Sequence, residues 1–192
     1  FRPMQHARRR LVGHGTGGVI ELGGPGEAPA VRDLGLRATH SVRRLADEAP
    51  AIAADEIEFL PYADTAGLFA RVKEAIRLCY SAGFKKHDLA IVSYHGREQS
   101  HLMTLDKLGP TSLRHFTGDY DLFGQPVYTE GDVLVESVYR FKGQAAPAVI
   151  LTEIDFDVLD DKAVRKLFVG ATRSSMKLIL VLHETSAARL LE

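Results

Sequence analysis

Two cations in the carboxyl-terminal part of the chain stand where a phosphate could be bound. Lys142 follows the apolar run Val133–Tyr139, and Arg173 precedes the apolar run Leu178–Leu182. A lysine offers a phosphate a point charge, and an arginine offers a planar, two-pronged contact. Open α/β sheets bind ligands at strand ends, so we expect the two loops to share one edge of a sheet and to contact a nucleotide, a nucleic acid or both. The ordinary alternative for each cation is a solvated loop residue.

A second candidate for phosphate binding lies earlier in the chain. The buried-type strand Leu89–Ser93 leads into residues 96–100, which include Arg97 and Ser100, and the pattern predicts a helix from there to about Leu108. Because a helix N-terminus presents unpaired N–H groups, this turn could receive a phosphate. Plain helix capping is the alternative.

A group of carboxylates follows the apolar run that begins at Ala148. Paired carboxylates can bind Mg²⁺, but a solvated loop and the cap of a helix predicted over Lys162–Phe168 explain them more simply. The five residues are Glu153, Asp155, Asp157, Asp160 and Asp161.

Several classes of function find no support in the sequence. The 8 histidines are scattered without metal-ligand spacing, so no metal site is predicted. The single cysteine, Cys79, falls on the apolar face of a helix predicted after Asp64 and is expected in the core. No GxSxG motif and no membrane-length apolar run is present. One cysteine and no signal peptide favour a reducing, cytoplasmic location.

The elements that must position these residues begin near Asp55. Residues 1–54 are glycine-rich, and the first 50 residues carry eight arginines against five acidic residues. Residues 55–192 alternate strands and helices, which predicts an α/β domain with a mainly parallel sheet and helices on both faces. The early glycines lack the lysine and hydroxyl residue of a phosphate loop, so the domain has no P-loop of its own.

Two segments together resemble motifs V and VI of superfamily I helicases of the UvrD/Rep type. Residues 137–144 read SVYRFKGQ before an apolar strand, and residues 167–173 read LFVGATR before another. The resemblance covers about residues 55–192 and implies the carboxyl-side, RecA-like (P-loop NTPase-like) motor domain of an ATP-dependent DNA helicase. In that family ATP with Mg²⁺ lies between two such domains, and the first domain holds most of the phosphate and metal contacts.

The resemblance also implies roles for individual residues. Arg173 matches the arginine finger, which stabilises charge on the transferring phosphoryl group. Single-stranded DNA and the first RecA-like domain of the same polypeptide are the implied partners. The implied nucleotide-binding residues are Arg2 (a remnant of motif IV), Lys142, Gly143, Gln144, Gly170 and Thr172. The implied nucleic-acid contacts are Arg97, Ser100, Ser137, Tyr139 and Arg140.

Two departures from the family pattern keep a second hypothesis open. The motif V acid is replaced by Ala145, and its histidine by Tyr139, which could hydrogen-bond a phosphate or stack on a base. No Walker A or Walker B motif precedes the domain in this sequence, so the chain alone is not expected to hydrolyse ATP. The alternative is a non-catalytic nucleic-acid or protein-binding domain with a degenerate RecA-like fold.

Overall fold

The computed structural model describes residues 57–191. Arg2 and the predicted amino-terminal portion, residues 1–54, lie outside the described residues. Nine strands and three α-helices are found between residues 57 and 191, with short 3₁₀ turns at Lys86–Asp88 and Leu102–Thr104. In chain order they are β1 (Ile57–Tyr62), α1 (Thr65–Ser81), β2 (Leu89–Ser93), β3 (Lys107–Leu108), β4 (Thr111–Arg114), β5 (Phe116–Tyr120), β6 (Pro126–Tyr128), β7 (Val133–Ser137), β8 (Ala146–Ile154), α2 (Asp161–Ala171), β9 (Ser174–His183) and α3 (Glu184–Leu191).

Seven strands form one sheet in the order β1-β9-β8-β2-β7-β4-β3. Every neighbouring pair is parallel except β3 with β4. Strands β7 and β8 are separated by β2, so the connection between them must cross β2. The strands β5 and β6 pair with each other in a separate antiparallel hairpin.

Helices cover both faces of this sheet and produce two cores. On one face α1 packs against alternate strand residues such as Ile150 and Ile179. On the other face α2 and α3 pack against the intervening residues, such as Leu151 and Leu180. Because both faces are covered, β8 is buried almost continuously and has no polar-apolar alternation. The predicted three-layer α/β fold with a mainly parallel sheet is confirmed.

The longest helix, α1, follows its sequence signals closely. The Asp64 carboxylate accepts a hydrogen bond from the Gly67 N–H at 2.6 Å and caps the helix. The face predicted to be apolar is buried and includes Cys79, which is 0% exposed. Burial raises the pKa of the Cys79 thiol to about 11. Gly83 follows the helix with a φ of +93°, a conformation that glycine adopts without steric cost.

The helix predicted from Ser100 to Leu108 is wrong. That segment forms only the 3₁₀ turn at Leu102–Thr104 and then enters the sheet as β3. Leu102 and Leu108 are both buried in the α1-side core, where an extended chain carries them farther apart than a helix would. Gly109, with a φ of +64°, makes the tight turn into β4. A helix N-terminus is therefore not available at this turn.

Between residues 57 and 191 no helix is both long and apolar enough to cross a membrane.

Candidate functional site

The segment that resembles motif V is a tight turn that is held by backbone hydrogen bonds and by two buried side chains. The N–H groups of Arg140 and Phe141 both donate to the Ser137 carbonyl, at 3.1 and 2.9 Å. Val138 and Phe141 are each 2% exposed and belong to the core beneath α2. With those two side chains buried, Tyr139 is left 59% exposed. The turn therefore exposes the Tyr139 side chain to solvent while its neighbours Val138 and Phe141 are packed in the core.

Arg140 is held by partners within the domain. Its Nε lies 3.2 Å from a carboxylate oxygen of the buried Glu136, and its Nη1 donates to the Tyr120 hydroxyl at 3.3 Å. Its guanidinium lies 3.6 Å from the centre of the Phe116 ring. The hydrogen bond with Tyr120 is the main cause that raises the pKa of Arg140. Arg140 thus ties the motif V turn to the β5–β6 hairpin, which is a structural use of a residue predicted to contact nucleic acid.

Residues 138–145 form the crossover that connects the carboxyl end of β7 to the amino end of β8. Gly143 has a φ of +86°, and the Gln144 side-chain amide donates to the Arg140 carbonyl at 3.2 Å. At the end of the crossover the Ala146 N–H donates to the Arg173 carbonyl at 3.0 Å. Ala146 therefore lies beside Arg173.

Helix α2 places Arg173 through close packing and a capped end. A Cβ on Gly170 would lie 2.7 Å from Leu151 Cδ1, so a larger residue would force the buried Leu151 side chain or the helix to shift. The Thr172 hydroxyl donates to the Phe168 carbonyl at 2.8 Å and closes the last turn. Gly170 and Thr172, predicted as nucleotide contacts, thus have packing and capping roles in this structure.

The Arg173 side chain is half-buried but not neutralised. Its Nε donates to the Val169 carbonyl at 3.1 Å, and Nη2 lies 3.2 Å from the Thr172 hydroxyl oxygen. Among residues 57–191 no carboxylate forms an ion pair with it. A guanidinium has more N–H donors than these two bonds use, so Arg173 keeps donors for a phosphate.

The expectation that Lys142 and Arg173 share one strand edge is wrong. The strands β7 and β9 are separated by β8 and β2. Arg173 comes directly before β9, at the amino end of that strand, whereas the motif V turn begins at the carboxyl end of β7. In a parallel sheet these are opposite edges. The crossover alone brings the motif V segment back toward Arg173, through the Ala146 bond described above.

A cavity of about 330 Å³ lies between the motif V turn and α2. Its apolar wall comes from Val138 and Val169, and the ring of Tyr139 stands beside them. The four cations that line it are Lys142, Lys162, Arg165 and Lys166. Sequence reasoning found Lys142 and Tyr139 but missed the α2 cations. Their i, i+3 and i+4 spacing on a helix was the signal that could have found them.

The remaining nucleic-acid candidates are placed less favourably. Ser100 and Ser137 are 2% and 4% exposed, so their side chains have little surface for a strand to reach. Arg97 is exposed, but its Nη2 donates to the Thr117 carbonyl at 2.7 Å, and its guanidinium lies 5.8 Å from the Phe116 ring centre. Like Arg140, it supports the β5–β6 hairpin. All the site assignments made from sequence remain predictions of function.

Glu153 corrects the interpretation of the acidic group as a solvated loop. It is 1% exposed and has a φ of +59°, a strained conformation for a residue with a side chain. Its carboxylate accepts hydrogen bonds from Ser93 Oγ at 2.5 Å, Ser100 Oγ at 2.6 Å and the His101 N–H at 2.7 Å. Glu153 therefore joins the ends of β2 and β8. Asp160 does cap α2, as predicted, by accepting from the Ala163 N–H at 2.7 Å.

A second cavity, of about 250 Å³, opens near these carboxyl ends and is lined by His95, His101, Asp155 and His183 among others. The Asp155 carboxylate oxygen lies 2.8 Å from His95 Nε2, and this hydrogen bond raises the pKa of His95 because it favours the protonated imidazole as the donor. Despite these histidines, the described residues contain no group of three or more side chains that could hold a metal ion.

Comparison with known families places the motif V and VI segments together. Residues 132–181 match the family model of the UvrD-like helicase C-terminal domain. That interval includes the motif V turn, the cationic cavity, α2 and Arg173. The resemblance to the carboxyl-side domain of UvrD-type helicases is thereby confirmed over this stretch.

Ten chains of solved structures also match. One is the crystal structure of the C-terminal domain of a possible DNA helicase from Lactobacillus plantarum WCFS1, with 14% sequence identity and a TM-score of 0.46. The match covers 80% of this chain and 92% of that chain. No curated protein matches.

Proposed function

We propose that this chain is the carboxyl-side motor domain of an ATP-dependent DNA helicase or translocase. The observation that carries the proposal is the family match over residues 132–181, which spans both motif segments in one continuous interval. In this proposal a first RecA-like domain of the same polypeptide holds ATP and Mg²⁺. This domain closes onto it, and the cycle of closure and release moves the protein along single-stranded DNA.

Arg173 supplies the arginine finger in the proposed reaction. Its guanidinium is held at the end of α2 by Val169 and Thr172 and retains donors without an internal carboxylate partner. A cation fixed in this way costs little reorganisation when charge develops on the transferring phosphoryl group. The Ala146 N–H at the end of the crossover donates to the Arg173 carbonyl, so this amino-end edge of β8 and β9 is the surface proposed to face the nucleotide.

The test compares Arg173→Ala and Arg173→Lys in the intact protein with Arg77→Ala. Arg77 is an exposed arginine of α1, on the opposite face of the sheet, so its variant controls for loss of one charge. For Arg173→Ala we expect DNA-stimulated ATP turnover to fall about a thousandfold or more while nucleotide affinity is largely kept. Lysine should not rescue it, because it lacks the planar fork of a guanidinium. Near-normal turnover in Arg173→Ala would contradict the assignment.

A non-catalytic binding domain is the second candidate, and Ala145 is the observation that favours it. Alanine cannot supply the carboxylate contact that the family places next to the nucleotide. If the domain has lost ATP coupling, the intact wild-type protein will bind DNA without any DNA-stimulated ATP hydrolysis. If hydrolysis rises when single-stranded DNA is added, the second candidate is excluded.

A further inference from the structure

The cavity between the motif V turn and α2 concentrates positive charge that the domain does not neutralise. Lys142, Lys162, Arg165 and Lys166 all line it. None of them forms an ion pair with a carboxylate of residues 57–191. The Nε of Arg165 donates instead to the Asp161 carbonyl at 3.0 Å. Four cations around one cavity attract an anion from outside the domain.

The cations of α2 are not explained by the stability of the helix. Lys162 lies in the first turn of α2, where the helix dipole disfavours positive charge. Arg165 and Lys166 follow it at i+3 and i+4, and like charges at those spacings are mildly destabilising. Phosphates of a bound strand would offset the repulsion among these three cations, which gives them a shared role on this face.

Lys166 and two tyrosines shape the cavity. The Lys166 ammonium lies 3.7 Å from the centre of the Tyr94 ring and 5.3 Å from that of Tyr139. Tyr94 is 6% exposed, so its buried ring holds the Lys166 ammonium in place through a cation–π contact. Tyr139 is 59% exposed and stands above the apolar residues Val138 and Val169. Proteins that bind single-stranded nucleic acids use this arrangement: an exposed aromatic ring stacks on a base, and neighbouring cations contact the phosphates.

We propose that this groove binds single-stranded DNA, with the α2 cations contacting its phosphates and Tyr139 stacking on a base. The inference rests on the proposed function, since it identifies where the strand lies on the motor domain. It extends the strand contact from the motif V turn to Lys162, Arg165 and Lys166 on α2. Arg173 does not line the groove, so strand binding and the proposed arginine finger can be tested with separate variants.

The test measures binding of a fluorescent oligothymidylate to the intact protein by anisotropy over a range of salt concentrations, without nucleotide. The variant is Lys162→Gln/Arg165→Gln. The matched control, Lys73→Gln/Arg77→Gln, removes the same charges from exposed positions of α1 on the other face. We expect the variant to bind more weakly and its log-log salt slope to fall by about 1.4, two phosphate contacts at about 0.7 each. The control should keep the wild-type slope.

Tyr139→Leu separates base stacking from charge. It should weaken oligothymidylate binding about tenfold or more while leaving the salt slope unchanged. Inorganic polyphosphate serves as a ligand without bases. If Tyr139→Leu weakens both ligands equally, or neither, the groove is a simple anion site and the proposal fails.

The two proposals fail in distinguishable ways. If wild type binds DNA and hydrolyses ATP but the α2 variant matches the α1 control, only the groove is overturned. If the α2 variant loses DNA affinity while wild type shows no DNA-stimulated hydrolysis, the groove stands and the motor function fails. Unfolding curves for all variants confirm that each is folded.

Discussion

Replacing Glu153 with alanine is expected to destabilise the domain by several kcal/mol. The carboxylate is 1% exposed and is the acceptor for Ser93 Oγ, Ser100 Oγ and the His101 N–H. A buried donor left without an acceptor costs about 1–3 kcal/mol. The two hydroxyls can rotate toward other acceptors, so we expect a total loss of about 3–5 kcal/mol. That is a large part of the stability of a typical domain.

Glycine at the same position provides a sharper comparison. Alanine keeps the unfavourable φ of 59°, whereas glycine adopts it without strain. Both variants lose the three hydrogen bonds, so Glu153→Gly should be more stable than Glu153→Ala by about 1 kcal/mol. This reverses the usual order, in which glycine is the more destabilising residue.

Urea unfolding followed by far-UV circular dichroism measures both effects on the 192-residue chain. Glu98→Ala is the control, because Glu98 is an exposed acid in the loop after β2, two residues before Ser100. A loss below about 1 kcal/mol for Glu153→Ala would refute the buried-acceptor role, since even one orphaned donor should cost that much. An alanine variant more stable than the glycine variant would refute the backbone strain.

Two further predictions concern packing and pH. Gly170→Ala should lower the free energy of unfolding by about 1–3 kcal/mol, because its Cβ would lie 2.7 Å from Leu151 Cδ1; an unchanged urea midpoint would contradict the close approach of α2 to β8. For His95, the Asp155 hydrogen bond raises its pKa in the folded protein, so the bond stabilises the protonated form. The stability lost in Asp155→Asn should therefore be greatest below the ordinary histidine pKa and disappear as the pH rises through the raised value. A loss that grows with pH instead would show that the sign is wrong.

The layered fold was predictable because its signals are local and periodic. The apolar face of α1, its Asp64 cap and Gly83 each act within a few residues of the chain. Continuous apolar runs such as Ala148–Leu151 indicate strands covered on both faces, and the structure confirms this for β8. These patterns do not depend on which strand lies beside which.

The errors came from contacts between distant parts of the chain. Glu153 looks like one acid among several in sequence, and only the approach of Ser93 and Ser100 makes it an interior acceptor. The helix expected after Ser100 does not form, because the segment instead buries Leu102 and Leu108 in the α1-side core. Strand order also depends on contacts between distant segments. The sequence pattern alone therefore did not show that the loops of Lys142 and Arg173 are connected to opposite ends of the strands.

The candidate site was found in part for the same reason. Arg173, Lys142 and Tyr139 belong to short motifs with recognisable flanks. The α2 cations belong to no such motif. They indicate a binding site only because the motif V turn lines the same cavity. Arg140 shows the converse, since its motif position predicted a strand contact that its internal partners do not require.

ATP-driven strand displacement by the intact protein is the measurement that tests the motor assignment most directly. A labelled oligonucleotide annealed beside a single-stranded tail is the substrate, with Arg173→Ala as the matched variant and Arg77→Ala as the control. We expect wild type and the control to release the strand only when ATP is hydrolysed. We expect Arg173→Ala to bind the substrate still but to release nothing. Equal displacement by wild type and Arg173→Ala, or DNA binding by wild type with no ATP-dependent displacement or movement, would contradict it.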